Sequence, residues 1–466
     1  MLIWKQFEAH AAAAPGKVAI FCGDTRITYG QFAADAEALA RKWRAQGLEP
    51  GDRIAFHMRN GVELATSYYA CLAAGFVAVP INNRLIPSEI DWVLEHSGAR
   101  AYFSQPDLQV RPNGILQATG TRAADPSAQT DPADRTGLLL YTSGTTAHPK
   151  GVSHSQRTLA GNVSYMRAWG LTPEDHTLLF TPMVHASGAI MHLISSLSIG
   201  ASVTIIPVFD AAAVLDAWER NGTTFYMTLP TLLRALVAEQ RARPRRVSTG
   251  RLAICGGDAV PVPLQEEYAA LFGQPMVEGY GLTEGLPLLA NHPRANRPGS
   301  MGRPVGDVET RVVEGELWVR GSGVATGYWG DAPFEDGWLK TGDLVDIDSD
   351  GFVWFRGRRK EIIVRGGSNI SPQEVEETLY QHPAVAEAGV IGEPDPWWGE
   401  VVVAYVALRE GQLVSEEELL EFSRRHLAGY KCPARVIFLE GLPKGASGKV
   451  QRRALKERLA HAASAH

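Results

Sequence analysis

YTSGTTAHPKG, from Tyr141 to Gly151, follows the apolar run Leu138–Leu140 and leads into a helix-like stretch, SQRTLAGNVSYMRAW. The hydroxyls of Ser143, Thr145 and Thr146, beside two glycines and one lysine, suit a loop around phosphate. The order differs from the common nucleotide loop, glycine, four residues, then Gly-Lys-Ser/Thr. Pro149 stands where that loop has its second glycine, and Gly151 stands where it has a hydroxyl. A plain polar turn competes, because Ser, Thr and Gly gather in turns for local hydrogen-bonding reasons. Strand, loop and helix in that order favour phosphate, since turn amides there face an anion.

Working outward, ITYGQFAADAEALARKWRAQG has apolar residues at helical spacing and stops at Gly47. RIAFHM, VELATSYYACLAAG and FVAVPIN continue as strand, helix and strand. A second series runs through TLLF, ASVTIIP, TTFYMTLP, RLAICGG and PMVEGYG, then gives way to short alternating strands, TRVVEGELWVR and DGFVWFRGR. Strand–helix steps of this length predict parallel sheets with covering helices. The fold class is therefore α/β. Residues 1–359 are expected to form a large N-terminal domain of parallel or mixed sheets plus a β-rich module, and 360–466 a small α+β domain. Gln105 to Thr136, rich in Pro, Gly, Asp, Thr and Ala, reads as a surface connection.

The bulk numbers narrow the class. A chain of 466 residues exceeds one core. Its net charge of −6 argues against nucleic acid or an anionic membrane as partner. Cys22, Cys71, Cys255 and Cys432 are too scattered for zinc or a disulfide framework, which suits the cytoplasm. The N-terminal stretch lacks signal-peptide character, and no run reaches the roughly 18 apolar residues of a membrane span.

Further motifs follow in order: FTPMVHASG around His185, CGGDAVP from Cys255, EGYGLTEG from Glu278, LKTGDLVDID from Leu339, GRRKEIIVRGGSNISPQEVE from Gly357 and PKGASGKVQRR from Pro443. Together with the opening loop they resemble the adenylate-forming superfamily of acyl- and aryl-CoA synthetases, luciferases and adenylation domains, over nearly the whole chain. The resemblance implies ATP-dependent conversion of a carboxylic acid to acyl-AMP, then thioester formation with coenzyme A, with Mg²⁺ as cofactor. It places Thr142, Ser143, Gly144, Thr145, Thr146 and Lys150 on phosphate, and Gly256, Gly257 and Asp258 as a wall between adenine and acid. Glu278, Gly279, Tyr280 and Gly281 form the nucleotide platform, with the Tyr280 ring on adenine. Thr283 contacts the α-phosphate and Glu284 binds the metal.

Asp343, supported by Arg358, takes the ribose hydroxyls. The same resemblance makes Lys449 the catalytic cation and Lys360 the hinge of a mobile C-terminal domain, with Gly366 and Gly367 lining the thiol path, where a Cβ would obstruct the pantetheine arm. His185 gates the acid. Ala147, where the family commonly has glycine, implies altered loop mobility rather than lost function.

Val184-His185 offers no carboxylate for a substrate amine, which disfavours amino acids. A pocket drawn from His185, Ala186, Ser187, Gly188, Met227, Cys255, Gly256, Gly281 and Leu286 suggests an aromatic or short-to-medium aliphatic acid. His192 or Arg234 would supply a cation for a second carboxylate if oriented inward. Loading of a carrier-protein thiol is the rival enzyme, and a nucleotide-binding regulator the non-enzyme; Thr283, Glu284, Asp343 and Lys449 together argue against the latter. Whether the chain forms a homodimer stays open.

Overall fold

The computed structural model describes residues 2–116, 131–142, 149–258, 260–366, 368–444, 450–452 and 454–457. Among these residues the N-terminal part is built on two large sheets. One runs Arg303–Pro304, Gly285–Ala290, Val277–Leu282, Leu252–Gly256, Phe225–Thr228, His176–Leu179, Ser202–Ile205, Val18–Cys22 and Thr25–Thr28, with a parallel centre. The other runs Gly327–Tyr328, Lys150–Ser155, Thr136–Thr142, Val77–Pro80, Arg53–His57, Ala101–Ser104 and Gly114–Ile115. Part of the surface connection thus supplies an edge strand, Gly114–Ile115; its residues 117–130 lie outside those described.

Local signals explain the covering helices. Helix Tyr29–Ala45 opens on a reciprocal cap, in which Thr28 Oγ1 accepts from the Gln31 amide and Gln31 Oε1 from the Thr28 amide. It closes before Gly47, whose φ of 91° lies in the region glycine adopts without strain. Its buried Phe32, Ala36, Ala40 and Trp43 recur at helical spacing and join one large apolar core between the sheets. Strand Arg53–His57 is buried along its whole length, as a parallel strand covered on both faces must be.

The opening stretch departs from the expected order. Strand Thr136–Thr142 turns back into an antiparallel partner, Lys150–Ser155, with Thr142 opposite Lys150. The helix starts only at Gln156, capped by Ser155 Oγ, which accepts from the Thr158 amide at 3.2 Å. The two strands are therefore antiparallel neighbours, and the helix amides lie beyond the second of them. Ser153, His154 and Ser155 disguise that strand: they are buried, and each is satisfied by a hydrogen bond.

The β-rich module is an antiparallel sheet of Glu309–Val313, Glu316–Arg320, Leu339–Ile347 and Val353–Arg358. Beyond Arg358 the chain passes through exposed Lys360 into a separate sheet that starts at Ile363. Its centre is a ribbon in which Val385–Asp395 pairs antiparallel with Gly399–Leu408, covered by helices Pro372–Tyr380 and Glu416–His426 over its own apolar core.

Candidate active site

A cavity of about 580 Å³ lies where strands Leu252–Gly256 and Val277–Leu282 reach the small C-terminal sheet and its helix Pro372–Tyr380. Gly257, Asp258, Glu278, Gly279, Tyr280, Gly281, Asp343 and Arg358 share its lining. In parallel sheets such crevices beyond the strand ends are the usual ligand sites. Two glycines have a structural reason. Gly256 pairs with Gly279, and a Cβ on Gly256 would stand 2.1 Å from the Gly279 carbonyl oxygen. Strand spacing already requires glycine here, whatever a nucleotide requires.

Asp343 is the electrostatic centre. It is 1% exposed, accepts from Tyr280 Oη at 2.6 Å on Oδ2, and faces Arg358 Nε at 3.1 Å on Oδ1. Neighbouring strands fix this pairing, because Asp343 stands opposite Arg358 in the ladder. Thr341 Oγ1 receives the Asp343 amide at 3.1 Å. A buried carboxylate is tolerated only when paired and hydrogen-bonded in this way. Burial and the Asp343 charge push the Tyr280 phenol well up, so it remains a donor. Glu278 differs: burial, with Glu377 adding like charge, raises its carboxyl well above the usual range.

At the phosphate end, Tyr328 links two expected residues. Its hydroxyl donates to Glu284 Oε1 at 2.7 Å, and the Lys150 ammonium lies 4.7 Å from its ring centroid. Buried His154 donates from Nε2 to the Thr283 carbonyl at 2.7 Å. Nothing local in GYWG or KGVSHS marked Tyr328 or His154, since both roles depend on chain pairing. Ser143, Gly144, Thr145, Thr146 and Ala147 lie outside the described residues, as do Gly367 and Lys449.

On the acid side, Ser187–Ile194 winds as a π-helix, a form frequent at functional sites. Gly188 permits it, for a Cβ there would meet the Pro182 carbonyl oxygen at 2.3 Å. His185 precedes this turn, with Nε2 3.5 Å from Asn82 Nδ2. Both cations considered for a second carboxylate have partners within the protein, and Arg234 also lines the cavity. His192 donates from Nδ1 to the Ser187 carbonyl at 2.8 Å and accepts the Met227 amide on Nε2 at 2.9 Å, fully buried. Arg234 instead lies 5.1 Å from the Tyr380 ring centroid, with Nη1 3.5 Å from the Ala386 carbonyl.

Burial drives His154, His176 and His192 from 6.5 to about 4, so all three are neutral in the folded chain. The unfolded chain binds those protons more readily. Stability is therefore intact above pH 6.5 and falls as pH drops towards 4, by up to about 1.4 kcal/mol per pH unit per histidine. Thermal unfolding followed from pH 7.5 to 4 should show the midpoint falling; a flat profile would contradict the buried neutral state.

The C-terminal part presents Gly366 with φ 55°, its amide donating to the Trp398 carbonyl at 2.7 Å. A Cβ there would meet the Trp398 indole at 2.8 Å, so this glycine also has a protein neighbour. Arg452 grips Glu376 through Nη2 at 2.9 and 2.7 Å and Glu361 through Nη1 at 2.7 Å.

Known proteins match this arrangement along its length. The AMP-binding enzyme family matches residues 7–329, and the AMP-binding enzyme C-terminal domain matches 374–449. The chain belongs to the AMP-binding enzymes, as the ordered motifs implied. It is similar to the feruloyl-CoA synthase of an Amycolatopsis species, with 35% identity over 96% of this chain and 97% of that one. The o-succinylbenzoate CoA synthetase of Bacillus subtilis, solved with its acyl-adenylate intermediate, superposes with a TM-score of 0.86 at 31% identity over 98% of each chain. ATP-bound MatB from Rhodopseudomonas palustris gives 0.85 at 28% identity, covering 98% of this chain and 99% of that one. Among the described residues, no helix is long and apolar enough to cross a membrane.

Proposed function

We propose that this protein is an AMP-forming carboxylate–CoA ligase. An acid attacks the α-phosphate of ATP, giving acyl-AMP and pyrophosphate, and the CoA thiol then displaces AMP. A bare carboxylate resists attack because it is anionic and its leaving group would be oxide. The mixed anhydride removes both obstacles. The observation that carries this reading is the buried Asp343, fixed between Tyr280 and Arg358 on the cavity wall.

In this reading Asp343 accepts the ribose hydroxyls and Tyr280 lies against adenine. Gly256, Gly257 and Asp258 separate adenine from the acid, and Thr283, positioned by His154, meets the α-phosphate. Among the described residues no cluster of three His, Cys, Asp or Glu side chains could hold a metal. One carboxylate, Glu284, near a phosphate loop instead suits Mg²⁺, which commonly takes one or two protein carboxylates plus substrate phosphates. Its role there would be to offset charge on the departing pyrophosphate. Lys449 bridges the carboxylate and the α-phosphate, and His185 gates the acid. The small domain, 360–466, rotates about Lys360 between the two steps and brings Gly366 and Gly367 to the thiol path.

The acid is an aromatic or short-to-medium aliphatic one; His192 is neutral and committed to backbone, whereas Arg234, on the cavity wall, is the residue that would meet a second carboxylate. The same reading places the enzyme in the cytoplasm, and size-exclusion chromatography tests whether two copies pair. Pyrophosphate release across aryl, fatty and dicarboxylic acids, with and without CoA, tests the whole. If no acid yields AMP, the proposal fails.

Asp343→Ala removes charge-assisted contacts worth about 1.5–3 kcal/mol, so ATP affinity should drop roughly 10- to 100-fold. Calorimetric titration with ATP measures it, and unchanged affinity would refute the ribose assignment.

A further inference from the structure

Tyr328 belongs to none of the motifs that carry the reaction. It sits on the short strand Gly327–Tyr328, which pairs with the strand leaving the phosphate loop, Tyr328 opposite Val152. From there it touches both ends of the charge apparatus. Its hydroxyl donates to Glu284 Oε1 at 2.7 Å, and its ring carries the Lys150 ammonium at 4.7 Å. Glu284 is also tied through its backbone, its carbonyl receiving the Ala325 amide at 2.6 Å.

We propose that Tyr328 is a positioning residue that aims the Glu284 carboxylate at the metal and holds Lys150 away from that carboxylate until phosphate arrives. The inference rests on the reading of Glu284 as the Mg²⁺ ligand. Lys150, at the start of its strand, and Glu284, in the turn between Val277–Leu282 and Gly285–Ala290, both contact Tyr328, and a lysine paired directly with Glu284 would compete with a divalent cation. The ring face offers Lys150 a weaker seat that a polyphosphate readily outcompetes. The phenol hydrogen bond meanwhile fixes the direction in which Glu284 presents its lone pairs. Partners of this kind, one step removed from the metal, typically change metal affinity about 10- to 100-fold when lost.

Two substitutions separate the functions. Tyr328→Phe keeps the ring and removes the hydroxyl, whereas Tyr328→Leu removes both. The full-length protein is titrated calorimetrically with ATP at a series of Mg²⁺ concentrations and without Mg²⁺. Tyr328→Phe should raise the Mg²⁺ concentration at half-maximal effect about tenfold while leaving metal-free ATP affinity unchanged. Tyr328→Leu should raise it further, and adding Lys150→Met to Tyr328→Leu should bring it back to the level of Tyr328→Phe.

An unaltered Mg²⁺ requirement in Tyr328→Phe overturns the proposal. So does an equal loss of ATP affinity with and without Mg²⁺, which would mark a purely structural residue. If the unmodified protein binds no ATP under any condition, the ligase reading falls with it. Normal Mg²⁺-dependent binding by the unmodified protein alongside an unaltered Tyr328→Phe removes this inference alone.

Discussion

Lys449→Ala should lower acyl-adenylate formation by about 10²- to 10³-fold, the scale at which one placed charge or donor stabilises a transition state. Charge builds on the carboxylate oxygen and the α-phosphate together as the new P–O bond forms. A mobile ammonium between them offsets both. The second half-reaction has no such need, because AMP leaves from an anhydride already made. Thioester formation from a supplied acyl-adenylate should therefore be retained. Pyrophosphate release and thioester yield, assayed separately, decide the matter; equal loss in both would strip Lys449 of its assigned role.

Arg452→Ala should destabilise the C-terminal part by about 3 kcal/mol or more, the low end of what removing one partner of a buried ion pair costs. Arg452 is the common partner of Glu361, just after the expected hinge, and Glu376 on helix Pro372–Tyr380. Removing the guanidinium leaves the Glu376 carboxyl almost buried with the Val390 amide as its other partner. Arg452→Lys should recover only part of the loss, since an ammonium cannot fork between two carboxylates as a guanidinium does. Hydrogen exchange over residues 363–444 reads the effect. Undiminished protection in Arg452→Ala would show that the pair contributes nothing.

Much of this was legible before any coordinates. Buried parallel strands such as Arg53–His57 read as apolar runs, and Gly47 or Gly75 ends a helix where the pattern stops, because left-handed backbone favours glycine. Asp343 and Tyr280 were singled out through motifs, and the approach of two separate sheets brings their side chains together across 63 positions. The misses have a common cause. Ser153, His154 and Ser155 look like surface residues until their partners are known, so a second strand passed for the approach to a helix. His154 finds Thr283 from 129 positions away, and Tyr328 finds Glu284 from 44. No window of sequence contains such pairs. The directions of His192 and Arg234 were unreadable for the same reason, since a side chain's direction is set by what packs around it.

The paired ribbon of Val385–Asp395 and Gly399–Leu408 holds ten partnered positions, and such a length spans about 30 Å. Stiffened by ladder bonds and backed by helices Pro372–Tyr380 and Glu416–His426, it behaves as an oar rather than a rope. Turning it by about 10° at one end sweeps the other through roughly 5 Å, on the scale of one strand spacing. Under the proposed ligase reading, torsional play of a few residues at its root would be geared up into displacements large enough to exchange one catalytic group for another over a stationary nucleotide.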